Sequence, residues 1–213
     1  RKQNLDEIIV ERLGLPKRVP HLDDWEKMVD TLKNAEKICR IALVGKYIKL
    51  EDSYKSVDEA LIHGGAANGA KIEFVKLDSD EVLKQDDMDK ILGDVDGLLI
   101  PGGFGQRGIE GMVKCAEYAR THNIPCFGIC LGLQVMVIEY SRNVLGFEDA
   151  NSTEFAPDSN HPVVSLLEEQ IDVKAFGGTM RLGANESHLV DDSIIRGIYS
   201  NEVIHERHRH RYE

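Results

Sequence analysis

The sequence of 213 residues predicts an α/β fold, a three-layer sandwich with a mostly parallel central sheet between helices. Three observations predict it. Short continuous apolar runs ("KICRIALVG", "VDGLLIPGG", "IPCFGIC") recur from residue 38 onward and read as strands buried on both faces. Amphipathic stretches of helical period separate them, the alternation expected of βαβ units. Glycine-rich turns, "PGGFGQRG" and "GICLG", follow two of the apolar runs. Ligands on parallel sheets bind beyond the carboxyl ends of the strands, so these two turns are expected side by side in one cleft.

In chain order, residues 1–37 are charged and interrupted, and read as an interdomain connector with short helices. "LDEIIVERLGLP" predicts one helix, stopped by Gly14 and Pro16. "HLDDWEKMVDTLKNA" predicts a second, with Asp23 or Asp24 near its start. Residues 38–213 form the expected main domain. "KICRIALVG" predicts a buried strand. "DSYKSVDEALIHGGAANG" predicts a helix with apolar positions at Val57, Ala60 and Leu61 and glycines at its stop. "KIEFVKLD" alternates as a strand, and "DEVLKQDDMDKILGD" reads as a polar helix or loop. "VDGLLIPGG" predicts a fully buried strand, "IEGMVKCAEYARTHN" an amphipathic helix and "IPCFGIC" another buried strand. "LGLQVMVIEYSRNVLG" predicts a helix ending near Gly146. Beyond it, "EDANSTEFAPDSNHPVV" carries turn chemistry, and "AFGGTMRLGANESHLV" suggests short strands near a glycine pair.

A net charge of −11 argues against a general nucleic-acid surface or an anionic membrane surface. No apolar run approaches the length of a membrane span, and residues 1–20 carry no signal-peptide core. Cys39, Cys115, Cys126 and Cys130 show neither metal-ligand nor disulfide-framework spacing, which points to a reduced, cytoplasmic compartment. No metal site is expected, and no phosphate-binding P-loop is present.

Three of the four thiols read as small core residues. Cys130 differs, because "GICLG" writes G-x-C-x-G where an apolar strand meets a helix. Such an elbow pushes a nucleophile into the cleft and aims the amides of the helix start at a developing oxyanion. A helix N-terminus is also expected to lower a thiol's pKa. Gly128 and Gly132 supply the small neighbours that the close turn needs.

"PGGFG", "GICLGLQ", "NSTEF", "GGTMRLG" and "ERHRHRYE" together resemble the glutaminase domain of the CTP synthase family, and "LGLP…W" and "VGKYIKLEDSYKSV" extend the resemblance over the whole chain. "GICLGLQ" alone points only to class I glutamine amidotransferases; "GGTMRLG" and "ERHRHRYE" carry the narrower match. The resemblance implies a flavodoxin-like class I amidotransferase fold. It implies that the Cys130 thiolate hydrolyses L-glutamine through a glutamyl thioester, supplying ammonia for ATP-dependent amination of UTP to CTP. It assigns backbone amides of Gly103 and Leu131 to the oxyanion, and Gln134, Glu154 and Arg211 to the glutamine substrate. Gln134 lies one helical turn beyond Cys130 and can share its cleft. Arg211 suits an α-carboxylate because its guanidinium is a planar fork. Arg107 and Lys55 fall in segments tied to the allosteric response to GTP and to the domain interface; neither is expected to be catalytic. The resemblance further implies an N-terminal synthase domain in the same full-length chain, with ATP and Mg2+ there, GTP as activator, and a homotetramer. No cofactor is expected in the glutaminase domain itself.

The sequence departs from the family in two respects. Class I enzymes carry histidine and glutamate of the triad in an "HPE" motif downstream of "RHRYE", and no "HPE" occurs here. "NHPVV" contains His161 and Pro162 in the wrong context, and the His210/Glu213 spacing does not match the motif. "LLEEQIDVKAFGGTM" is also shorter than the family leads one to expect. The expectation is that the chain is a piece of a longer enzyme and is inactive as a glutaminase if it ends at Glu213. Two other readings stand beside this one. One is a different class I amidotransferase or γ-glutamyl hydrolase; the other is a catalytically silent flavodoxin-like interaction module.

Overall fold

A computed structural model describes residues 3–19, 21–167, 170 and 180–213. Four parallel strands form the central sheet: β1 (Lys37–Gly45), β2 (Ala70–Asp78), β3 (Gly97–Ile100) and β4 (Cys126–Gly128), in the order β2-β1-β3-β4. Their side chains alternate between the two faces, as strand geometry requires. Ala42, Val44, Leu98 and Ile100 face one way, into a core completed by α6 (Ile109–Thr121) and α7 (Leu131–Asn143). Leu43 and Leu99 face the other way and meet Tyr54 together with Val57 and Leu61 of α3 (Lys55–Ala67). The sheet therefore lies between two helical layers, the predicted architecture.

Before the sheet come α1 (Leu5–Arg12) and α2 (Asp23–Asn34), which bury no residue completely. The polar stretch after β2 forms two short helices, α4 (Ser79–Leu83) and α5 (Asp89–Leu92), so helix rather than loop wins there. Asp78 caps α4 by accepting from the Asp80 amide at 3.0 Å. α6 and α7 are tied by Arg120, which donates three hydrogen bonds of 2.7–3.1 Å to the buried Glu139 carboxylate.

One strand departs from expectation. "IPCFGIC" reads as buried, yet Phe127 is 60% exposed. Among the described residues β4 is an edge strand, and Phe127, in register with Leu99, lies on the α3 face. α3 packs over β1 and β2 and leaves that end of the face uncovered. An apolar run reports hydrophobicity but cannot distinguish a central strand from an edge.

The C-terminal part wraps the carboxyl end of the sheet. β5 (Asn151–Ser152) pairs with β6 (Pro162–Val164), and β7 (Arg181–His188) pairs antiparallel with β8 (Val203–His210) around α8 (Ile194–Tyr199). Mutual backbone hydrogen bonds between Ser165 and Glu213, of 2.8 and 2.9 Å, fasten the end of β8 beside β6. β7 is one of the strands expected near the glycine pair. The pair itself, Gly177–Gly178, and the short segment around it lie outside the described residues.

The turn between α7 and β6 is pinned by Asp149. Its carboxylate accepts from the Asn160 amide at 2.8 Å and faces His161 Nδ1 at 2.5 Å, and the imidazole stacks on Phe147. His161 and Asn160 together hold the Asp149 carboxyl at about 2, below its ordinary 3.8. The folded value is the lower one, so this stabilisation is present above the ordinary value and lost as pH falls through about 2. In an NMR titration Asp149 is expected to titrate near 2 and to move up in His161→Gln. An unshifted Asp149 in the parent protein would refute the assignment.

Candidate active site

The elbow is built by two close approaches. Ile100 at the end of β3 accepts a hydrogen bond from the Ile129 amide at 2.9 Å, so the chain after β4 tracks the end of β3. It then turns sharply into α7. A Cβ on Gly132 would lie 1.9 Å from the Ile100 carbonyl oxygen, and one on Gly128 would lie 2.4 Å from the Gly132 carbonyl carbon. Only glycine fits either position. Between them Cys130 sits at the N-cap of α7 with φ 53° and ψ −106°. A residue bearing a Cβ rarely adopts such a backbone, and it costs about 1–3 kcal/mol unless the surroundings enforce it. The strain lifts the side chain out of the sheet.

The "PGGFG" turn lies where the order of elements places it. A Cβ on Gly102 would contact Cys130 Cβ at 3.6 Å, and one on Gly103 would meet the Leu131 side chain at 3.1 Å. A cavity of about 230 Å³ opens there, and its walls include Gly103, Cys130, Gln134, Glu154 and Arg211. Five of the six residues singled out from sequence thus converge on one space from four separate segments. The sixth, Leu131, turns its side chain into the core, while its backbone amide favours the Cys130 thiolate; the Cys130 thiol itself donates to the Arg209 carbonyl at 3.8 Å. Lys55 and Arg107 do not line the cavity. Arg107 instead reaches Asp80 at 2.5 Å and the Lys46 carbonyl.

Several side chains at the cavity are engaged with protein. Glu154 accepts from the Gly105 amide at 3.0 Å, and Gln134 donates to the Tyr212 carbonyl at 2.7 Å. His210 also lines the cavity, and it does not pair with Glu213, which binds Arg181 at 2.6 Å. Its Nδ1 is 3.1 Å from the Tyr212 carbonyl and its Nε2 is 2.9 Å from His208 Nδ1. A carbonyl only accepts, so the network assigns the proton to Nδ1 and leaves Nε2 as acceptor for His208. The lone pair a base would need is already taken.

The electrostatics correct one expectation. Burial pushes the Cys130 thiol up, outweighing the Leu131 amide that favours the thiolate, and Glu154 pushes the same way. The helix start does not by itself ionise this cysteine. Cys115 and Cys126 are pushed by burial to about 12 and about 11, in line with their reading as core thiols. Cys39 is partly buried, and all four thiols are free.

Lys46, Phe104, Met180 and Tyr212 at or beside the cavity were not singled out from sequence. Lys46 had a legible signal: it is a charged residue directly after the buried "IALVG" run, at the carboxyl end of a strand. Among the described residues no group of three or more His, Cys, Asp or Glu could hold a metal ion, and no helix is long and apolar enough to cross a membrane.

A doubly wound parallel sheet with a cysteine elbow beside a glycine turn defines a class of protein, and comparison with known families agrees. Residues 49–213 match the family glutamine amidotransferase class-I, and the chain belongs to that family. The more particular likeness is to CTP synthases. The chain is 51% identical over 211 residues to the CTP synthase of Hydrogenobaculum sp., covering 99% of this chain and 39% of that one. It is 49% identical over 213 residues to that of Aquifex aeolicus, covering 100% and 39%. A solved structure described as the Trypanosoma brucei CTPS glutaminase domain with bound acivicin superposes with a TM-score of 0.75 at 43% identity, covering 82% of this chain and 67% of that one. The chain thus spans about 39% of the length of these full-length relatives.

Proposed function

We propose that this chain is the glutamine-hydrolysing part of a CTP synthase. The Cys130 thiolate attacks the side-chain amide carbon of L-glutamine, and the backbone amides of Gly103 and Leu131 hold the oxyanion. The proton drawn from the thiol passes to the leaving nitrogen, so that ammonia leaves as the glutamyl thioester forms, and water then cleaves the thioester to glutamate and free thiol. Arg211 pairs with the substrate α-carboxylate, Glu154 with its ammonium group, and Gln134 shapes the same pocket. The ammonia passes to a synthase domain of the same longer polypeptide, which uses ATP and Mg2+ to aminate UTP and responds to GTP. That domain, with residues 1–37 as connector, carries the assembly into a homotetramer in the cytoplasm. The observation that supports this most directly is the strained Cys130 elbow opening on a cavity lined by Gly103, Glu154 and Arg211.

A base must still be supplied, because burial pushes the thiol up and His210 is occupied. The catalytically silent reading draws on those same two facts, and one comparison separates the two. The intact protein is expected to release glutamate from glutamine and to convert UTP to CTP, while a polypeptide of residues 1–213 alone is at least about 100-fold slower, the usual contribution of a general base. Equal turnover would refute the missing-base argument. An intact protein without glutaminase activity would refute the enzyme reading.

A further inference from the structure

The chemistry above needs the amide of Gly103 held still beside Cys130, yet residues 101–108 belong to no helix or strand. Two charged side chains from distant segments grip that turn. Lys46, at the end of β1, is 3% exposed. Its Nζ donates to the Phe104 carbonyl at 3.2 Å and to the Gly105 carbonyl. Its Cδ would lie 3.4 Å from a Cβ placed on Gly103, so the stem packs along the turn. Glu154, from the segment after β5, accepts from the Gly105 amide at 3.0 Å.

The Phe104 carbonyl and the Gly105 amide belong to one peptide unit, and in a trans peptide they point in opposite directions. Lys46 therefore holds that unit from one side and Glu154 from the other. We propose that Lys46 is a positioning residue: with Glu154 it clamps the Phe104–Gly105 peptide and so holds the Gly103 amide in line with Cys130. This rests on the reading of Cys130 as a glutaminase nucleophile. Lys46 is itself fixed, since its amide donates to the Tyr54 hydroxyl at 3.1 Å and its carbonyl accepts from Arg107. A buried ammonium is costly unless its hydrogens are used, and two carbonyls take two of the three here. Burial lowers Lys46 to about 8, and neighbouring Glu154 and Asp80 favour its charge while Arg107 opposes it. The Nζ also sits 5.8 Å from the centroid of the Phe155 ring, on the same segment as Glu154.

The test is Lys46→Met in the intact protein, which keeps the stem and removes the donors. The expected result is a fall of about 10- to 100-fold in kcat for glutamine hydrolysis, less than full loss of an oxyanion donor, with KM changed less than about 3-fold. Alkylation of Cys130 by iodoacetamide is expected to stay within about 2-fold, because displacement of iodide develops no oxyanion. Lys46→Arg, which keeps charge and donors, is expected to recover part of kcat. If Lys46→Met does not fold, Lys46→Gln and Lys46→Arg are measured in the same way. Wild-type kcat in Lys46→Met would overturn the clamp, as would an equal loss of alkylation, which would mean the thiol itself had moved. A parent protein that releases no glutamate would sink the glutaminase reading and the clamp with it; an active parent unaffected by Lys46→Met sinks the clamp alone.

Discussion

Cys130→Ala is expected to abolish glutamine-supported CTP formation in the intact protein, by about 10⁴-fold or more, while leaving ammonia-supported synthesis near the parent rate. The reason is geometric. Cys130 is the one thiol of the four that lies on the cavity shared by Gly103, Glu154 and Arg211. Without its sulfur no thioester can form, and the amides around it cannot replace a nucleophile. Ammonia supplied from solution bypasses the missing step. Alanine retains the Cβ and with it the strained φ of 53°, so the melting temperature should move by no more than about 2 °C, about 1 kcal/mol or less for a chain of this size. A glutamine-analogue electrophile should label the parent protein stoichiometrically at Cys130 and spare Cys115 and Cys126, whose thiols burial holds near 12 and 11. Retained glutamine-dependent turnover in Cys130→Ala would remove the basis of the proposed function.

Gly132→Ala should be far more damaging to the fold than its one added methyl suggests. The new Cβ would lie 1.9 Å from the Ile100 carbonyl oxygen, a backbone atom that also accepts the Ile129 amide. No rotamer change can relieve that clash. α7 must move away from β3, and Leu131, Val135 and Ile138 on its inner face leave the core with it. Overpacking of this kind costs about 3 kcal/mol or more. For a domain of this size that corresponds to a loss of roughly 10 °C in melting temperature. Activity should fall further than stability, because the movement separates Cys130 from the Gly102–Gly103 turn. Gly64→Ala is the matched control, since a Cβ there meets nothing within 4 Å. Equal melting temperatures for the two variants would show that the elbow is not held by this contact.

How much of the site was legible from sequence depends on the distance over which each residue acts. Gly128, Cys130 and Gly132 lie within five positions, and an apolar run entering a helix defines their turn locally. The pairing of that turn with "PGGFG" followed from strand order, and the β3–β4 register bears it out. Glu154 and Arg211 were named only through the likeness of "NSTEF" and "RHRYE" to a family. No local pattern distinguishes them from solvated charges, and the hairpin of β7 and β8 had to form before Arg211 reached the cavity. Lys46 carries one local sign, a charge at the carboxyl end of a strand, but its role depends on the distant loop that the fold brings to it.

The amino-acid sequence by itself determined the alternation of strands and helices between residues 38 and 146, the place of the glycine turns and the candidate nucleophile. All of these follow from periodicity and from glycine spacing within a dozen residues. The tertiary structure alone decided that β4 is an edge among the described strands, that His210 contacts His208, and that burial pushes the Cys130 thiol up. Those outcomes depend on which distant groups exclude water or offer a hydrogen bond, and solvent exclusion is a property of the packed chain rather than of any stretch of it.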